Sequence, residues 1–386
     1  MHETKSSLAI LHHLRWLAAL AVAIMHLRQN MLLDHAQVQH PGVLGNFIYF
    51  IAAYGHAGVV VFFVLSGFLV GGKALRLVTT PMIETEWLHF LIDRFTRIFI
   101  VLWPALAISA CVLFGLRFLA PQAPFMTQPH WGWSMSHPLV ADFSAATWIC
   151  GAVMLNGLTA PNLTINAPLW SLAYEWFYYM GALGLVLAVR RVFSPAALVI
   201  ILYSFGLFVL GLLFRPNMIV LGLVWLMGTG ARALFDQRRF SGMWIRNLSL
   251  VALLGALFMD RFVTVPDLLL GLLVAIVIAN RDWSGWNLGA DWGEKLANFS
   301  YSLYVIHYPV CIAVMGVLFR MGLLTHRLPM TLKGVGIAFG TLVLAILTAR
   351  AFAFATEDRT SQLRNLIFRL FQLPVKRNVA LAVPAK

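Results

Sequence analysis

The sequence predicts an all-α protein, a polytopic transmembrane helical bundle of about ten spans with both termini in the cytoplasm. Three observations predict it. Of 386 residues, 60% are hydrophobic and only 11% are charged, against roughly 25% charged in an ordinary soluble domain. Apolar stretches of about 15 to 25 residues recur between short basic clusters, the spacing a hydrocarbon core of roughly 30 Å imposes on helices. With an even number of spans both termini share one side, and only Arg28, Arg117, Arg215, Arg261, Arg320, Arg327 and Lys333 of the 28 Lys and Arg residues then fall on the other. That imbalance is the positive-inside pattern of a chain whose ends are cytoplasmic.

In chain order the spans are expected at 16–34, 46–70, 97–119, 168–189, 195–214, 217–235, 245–259, 264–280, 296–318 and 332–355. The first apolar run follows Lys5 and is interrupted by Arg15, with no small-residue cleavage site behind it. It is expected to be retained as a span and not removed as a signal peptide. The longest stretch outside the spans, 120–167, is rich in proline, carries His130 and His137, and alternates Trp131 with Trp133. It is expected on the outer side, where the two tryptophans serve either as interfacial belt residues or as aromatic faces for a sugar ring. Residues 143–158 are apolar but too short to span. Residues 1–386 are therefore expected to form a single membrane domain, with 356–386 as a basic cytoplasmic tail.

Composition also excludes function classes. A net charge of +13 could suggest nucleic acid, but the basic residues alternate with apolar spans and form no continuous basic face or arm. The expected partner is the lipid bilayer and not nucleic acid. Cys111, Cys150 and Cys311 lie in apolar segments without paired spacing, so neither a disulfide framework nor a metal site is expected.

Ionisable groups inside spans are costly and mark sites or pathways. Arg15 and His26 share the first span, and their spacing corresponds to roughly 16 Å of helix, with Arg15 at the inner interface and His26 in the outer half. A histidine is suited to take a proton from a hydroxyl near neutral pH; a satisfied interior histidine is the other reading. Arg94 and Arg97, three apart in DRFTRIF, can grip two phosphates or anchor the inner interface. In VVVFFVLSGFLVGG, Ser66, Gly67, Gly71 and Gly72 permit close approach of another helix or of an elongated ligand. NAPLWSLAYEWFYY places Glu175 among aromatics, where it needs a partner. In NFSYSLYVIHYPV, Ser300, Tyr304 and His307 fall near one helical face as a polar stripe.

Taken in order, LRWLAALAVAIMH, GVVVFFVLSGFLV, RFTR, APLWSLAYEWFYY and SYSLYVIHYPV resemble the signature segments of the acyltransferase-3 family of bacterial membrane O-acyltransferases. The resemblance implies a ten-helix membrane-bound O-acyltransferase of the bacterial inner membrane. Such an enzyme uses a cytosolic acyl-CoA, usually acetyl-CoA, as co-substrate without a bound cofactor, and modifies a hydroxyl of a carbohydrate or glycolipid acceptor. It further implies a catalytic group of His26, Arg15 and Glu175, with His26 as general base. Donor-binding residues would be Arg94, Arg97, Ser66 and Gly67. His307, Tyr304 and Trp170, in the remaining signature segments, are expected to bind substrate. The chain departs from the family pattern at His12 and Val60, where acidic residues are common, at Trp176 after Glu175, and at ATEDRT, where Glu357 only loosely echoes a final acidic element. A transporter of an anionic or sugar-linked substrate would also use intramembrane Arg, His and Glu; transport without acyl-CoA separates it from an enzyme.

Overall fold

The computed structural model describes residues 2–79, 85–129, 131, 132, 135, 137–237, 241–260, 262–283 and 289–373. His130 and Trp133 lie outside the described residues, as do 374–386 of the expected tail. Regular structure among the described residues is helical, without strands, as the apolar periodicity requires: in lipid a helix satisfies its backbone within its own segment.

Helix α1 (His2–Met31) leads through a turn into α2 (Gly42–Ala52) and α3 (Gly55–Ser66). A π turn at Gly67–Gly71 then continues into α4 (Gly72–Thr79). The long α5 (Glu86–Leu119) ends in a connection holding two short helices, α6 (Pro124–Thr127) and α7 (Ala145–Ala152). There follow α8 (Leu169–Val189), α9 (Pro195–Phe214), α10 (Pro216–Asp236), α11 (Met243–Met259) and α12 (Asp267–Ala279). The chain closes with α13 (Ala290–Ala297), α14 (Ser300–Arg320), α15 (Leu332–Ala355) and α16 (Thr360–Leu370). Among the described residues eight helical segments are long and apolar enough to cross a membrane, and α11 and α12 are shorter apolar helices. On α9, Val199, Leu202, Phe205 and Leu213 are between 65% and 68% exposed. So large an apolar surface is stable against acyl chains and not against water.

Two boundaries differ from expectation. The first helix begins near residue 2 and not near 16, and α5 begins at Glu86 and not at 97. In both cases the helix continues past the apolar run into a polar segment, because hydropathy reports contact with lipid and not helicity. As expected from its length, α7 does not cross; Trp103 on α5 donates to the Ala152 carbonyl at its end (3.0 Å).

Small residues set the central crossings. A Cβ added at Gly67 would lie 1.9 Å from the Trp225 carbonyl oxygen, and one at Gly228 would lie 2.1 Å from that of Val64. The crossing of α3 and its π turn with α10 is therefore backbone on backbone, and the glycine-rich run serves helix packing. Pro309 inside α14 cannot donate to the carbonyl four residues earlier. The buried Asn166 side chain donates to that Val305 carbonyl instead (3.0 Å), and also to Ser109 Oγ (3.2 Å). The connection before α8 is pinned by Asp142, whose carboxylate accepts the backbone N–H of Thr164 (3.0 Å) and of Ile165 (2.6 Å). Burial pushes this carboxyl up to about 6, against the pull of the two amides.

Candidate active site

Helices α1, α5 and α14, which carry Arg15, His26, Arg94, Arg97, Tyr304 and His307, rise from the same end of the bundle, since each enters from the face that also holds α13 and α16. Near that end, on α1 and α5, lie Arg15, Arg94 and Arg97; farther along are His26 and His307. The groups sort into two sites at different depths.

At the basic level the organising group is Glu357, buried in the turn between α15 and α16. Its Oε1 accepts from Arg97 Nη2 (2.9 Å) and Arg15 Nη2 (3.4 Å), and its Oε2 accepts from the backbone N–H (3.1 Å) and hydroxyl (2.9 Å) of Ser302. Within the segment expected as a basic cytoplasmic tail, 356–386, the second residue enters the bundle and joins three helices. Arg97 also lies over the Tyr301 ring, 5.5 Å from the centroid. Arg94 forms no ion pair among the described residues, and its buried Nε has no hydrogen-bond partner. A half-buried guanidinium whose Nε is buried and unmet suits an anionic ligand.

Glu175 finds the partner it needs in the Tyr179 hydroxyl, which donates to it. A carboxylate only accepts, so the proton order behind it is fixed. Tyr179 donates to Glu175, Ser66 Oγ donates to the Tyr179 oxygen (3.1 Å), and Trp225 Nε1 donates to Ser66 Oγ (3.1 Å). Ser66 and Gly67 thus serve the packing of α3 on α8 and α10, and the face of Gly67 expected to meet the donor is filled by α10 backbone. Glu175, Tyr301, Tyr304 and Ser171 line a cavity of about 40 Å³, floored by Phe62 and Phe63. Tyr304 and Ser171 are hydrogen-bonded across it (2.5 Å).

At the deeper level His26 Nδ1 lies 3.0 Å from His307 Nε2, with the rings nearly parallel at 15°. The protonation pattern follows from the partners. His307 Nδ1 faces the Leu303 carbonyl at 2.9 Å, and a carbonyl only accepts, so Nδ1 carries the hydrogen. In the neutral ring Nε2 is then the acceptor, and His26 must donate to it from Nδ1. The basic lone pair of the pair is therefore left on His26 Nε2. His26 retains 8% exposure while His307 has none. Sequence inspection expected His307 to bind substrate; its contacts in the bundle are with His26 and the Leu303 carbonyl. Tyr304 stands beside it, ring centroids 6.2 Å apart.

Trp170 lies one position before Ser171 and turns away from the small cavity, edge-on to Tyr174 (5.2 Å). Trp131 donates to the Asn30 carbonyl at the end of α1 (2.8 Å) and packs on Phe125, so it ties the connection to the bundle. No group of His, Cys, Asp and Glu among the described residues could hold a metal ion.

A helical bundle that carries a preset histidine above a cluster of arginines inside the membrane defines a polytopic membrane protein with the parts of a group-transfer enzyme. The family model for the acyltransferase domain, Acyl_transf_3, matches residues 8–350, and the chain belongs to that acyltransferase family. A curated relative, acyltransferase MdmB of Streptomyces mycarofaciens, is 29% identical over 168 residues, 43% of this chain. The match spans 36% of the length of that relative. No solved structure matches the chain.

Proposed function

We propose that this membrane acyltransferase moves an acyl group, acetyl in the first instance, from cytosolic acyl-CoA to a hydroxyl of a carbohydrate or glycolipid, with His26 as general base. The observation that carries the reading is the contact of His26 Nδ1 with His307 Nε2 and of His307 Nδ1 with the Leu303 carbonyl, from which the lone pair is assigned to His26 Nε2. His26 removes the acceptor proton, the oxygen attacks the thioester carbonyl carbon, the new C–O bond forms and the C–S bond breaks. The proton held on Nε2 then passes to the departing thiolate, which restores the imidazole. The donor's phosphates are assigned to Arg94 and Arg97 with Arg15 beside them, three guanidinium groups against the two carboxylates Glu175 and Glu357. An extended pantetheine arm suits the separation in depth, roughly 16 Å of helix between Arg15 and His26. The same reading sets the chain in the inner membrane of a bacterium with both termini in the cytoplasm.

The test is transfer of label from acetyl-CoA into host glycans by membranes containing the wild-type chain or His26→Ala at matched protein levels. Label entering carbohydrate only with wild type is the expected result. Equal labelling by both would remove His26 from the base role, and substrate movement without any acyl-CoA would replace the enzyme by a transporter.

A further inference from the structure

At the end of the bundle opposite the arginine cluster, a second cavity of about 360 Å³ opens among Trp170, Tyr174, Asn162, Asn217, His137 and Arg215. Its position follows from the chain path: α8 begins there, α9 ends there and α10 starts there. The wall has two parts. On α8, Trp170 and Tyr174 are separated by four positions and present a continuous aromatic ledge, while Ser171 and Glu175, on the next stripe of the same helix, line the small cavity. The first turns of α8 therefore stand between the two cavities. From Ser171 the contacts run through Tyr304 to His307 and His26.

The opposite wall carries the charge. Arg215 donates through Nε to the Gly157 carbonyl, which fixes the plane of its guanidinium. Its two terminal nitrogens form neither a hydrogen bond nor an ion pair among the described residues, and no Asp or Glu of the described residues lines the cavity. A guanidinium with two open terminal nitrogens favours an oxyanion held by both. Asn162, whose Oδ1 has no hydrogen-bond partner, and Asn217 provide amide groups for hydroxyls. An aromatic ledge, amides and one uncompensated cation are the recognition elements of a sugar ring that bears a negative group.

We propose that this cavity is the acceptor subsite and that it selects a carbohydrate carrying an anionic substituent, carboxylate or phosphate, through Arg215. The proposal rests on the acyltransferase reading for the word acceptor, but the binding it asserts does not. The full chain in lipid nanodiscs is titrated with methyl β-D-glucuronide, glucose 1-phosphate and methyl β-D-glucoside, and affinity is read by saturation-transfer NMR for wild type, Arg215→Gln and Arg215→Lys. At least one anionic sugar should bind wild type about tenfold tighter than the neutral one, a difference of about 1.4 kcal/mol. The preference should vanish in Arg215→Gln and survive in part in Arg215→Lys; which anionic sugar carries it separates carboxylate from phosphate. Equal binding of charged and neutral sugars, no binding of either anionic sugar at millimolar concentration, or a preference retained in Arg215→Gln overturns the proposal. Label transfer from acetyl-CoA is measured on the same preparations. Discrimination without transfer would sink the acyltransferase chemistry alone, and transfer without discrimination would sink this subsite alone.

Discussion

A histidine becomes a useful base when its tautomer is fixed before the substrate arrives, and here a second histidine does the fixing. His307 is itself held by the Leu303 carbonyl (2.9 Å). In His307→Ala, His26 Nδ1 loses its acceptor and the ring divides between tautomers. The turnover number should fall about tenfold to a hundredfold, less than the 10²–10⁴ a general base contributes in full, with KM for acetyl-CoA unchanged. His307→Gln, whose amide oxygen can accept from Nδ1, should recover part of the rate; a Gln variant no better than Ala would argue against the tautomer role. Glu357 gives a second residue-scale expectation. It is buried while Arg15 and Arg97 keep 26% and 32% side-chain exposure, so part of the cost of removing it is screened by solvent. Glu357→Gln should lower stability by roughly 2–3 kcal/mol, read as thermal unfolding in detergent. Coenzyme A should then raise the variant's melting temperature more than the wild type's, because its phosphates supply the missing counter-charge. An equal rise in both would detach the donor from these arginines. Sequence inspection found Arg15, His26, Arg94 and Arg97 because each is an ionisable group in or beside an apolar run. It missed the role of Glu357 because its partner Arg15 is 342 positions away and ATEDRT, read locally, belongs to a polar tail.

Among the elements, the helices visible in advance were those whose apolar face meets lipid, such as α9 with its exposed Phe205 and Leu213. The polar leads of α1 and α5 were not, because a helix that leaves the bilayer keeps its backbone hydrogen bonds and loses only its hydropathy. Nor does spacing tell how a proline is tolerated inside a span. The expected span 296–318 runs through Pro309, and α14 continues to Arg320 with Asn166 supplying the donor that proline lacks. Asn166→Leu should orphan the Val305 carbonyl and lower stability by about 2 kcal/mol. Asn166→Gln should not restore it, since the longer amide must displace Ser109 to reach the same oxygen. Hydrogen exchange at the start of α14 is the measurement: faster exchange confined to the turns around Pro309 is expected, and unchanged protection would leave the proline's tolerance to some other contact.

Across the whole molecule, the two sites make sense only if the bundle sits one way round in the bilayer. The arginine cluster lies where α1, α5 and α14 begin, and the larger cavity where α8 begins and α9 ends. A donor made in the cytosol reaches the first end only if the termini are cytoplasmic. The distribution of cations favours that orientation; Arg28 and Arg327, two of the few basic residues at the opposite end, are both paired with Asp34 in the folded bundle. The orientation can be read directly by cysteine labelling in a variant whose three cysteines are replaced. Thr325, in the connection between α14 and α15, and Ser361, on α16, are both exposed and lie at opposite ends. In intact cells with a permeabilised outer membrane, a membrane-impermeant maleimide should modify Thr325→Cys and leave Ser361→Cys untouched until the inner membrane is broken. The reverse pattern would place the arginines outside, out of reach of cytosolic acyl-CoA, and would remove the donor site together with the transfer reaction built on it.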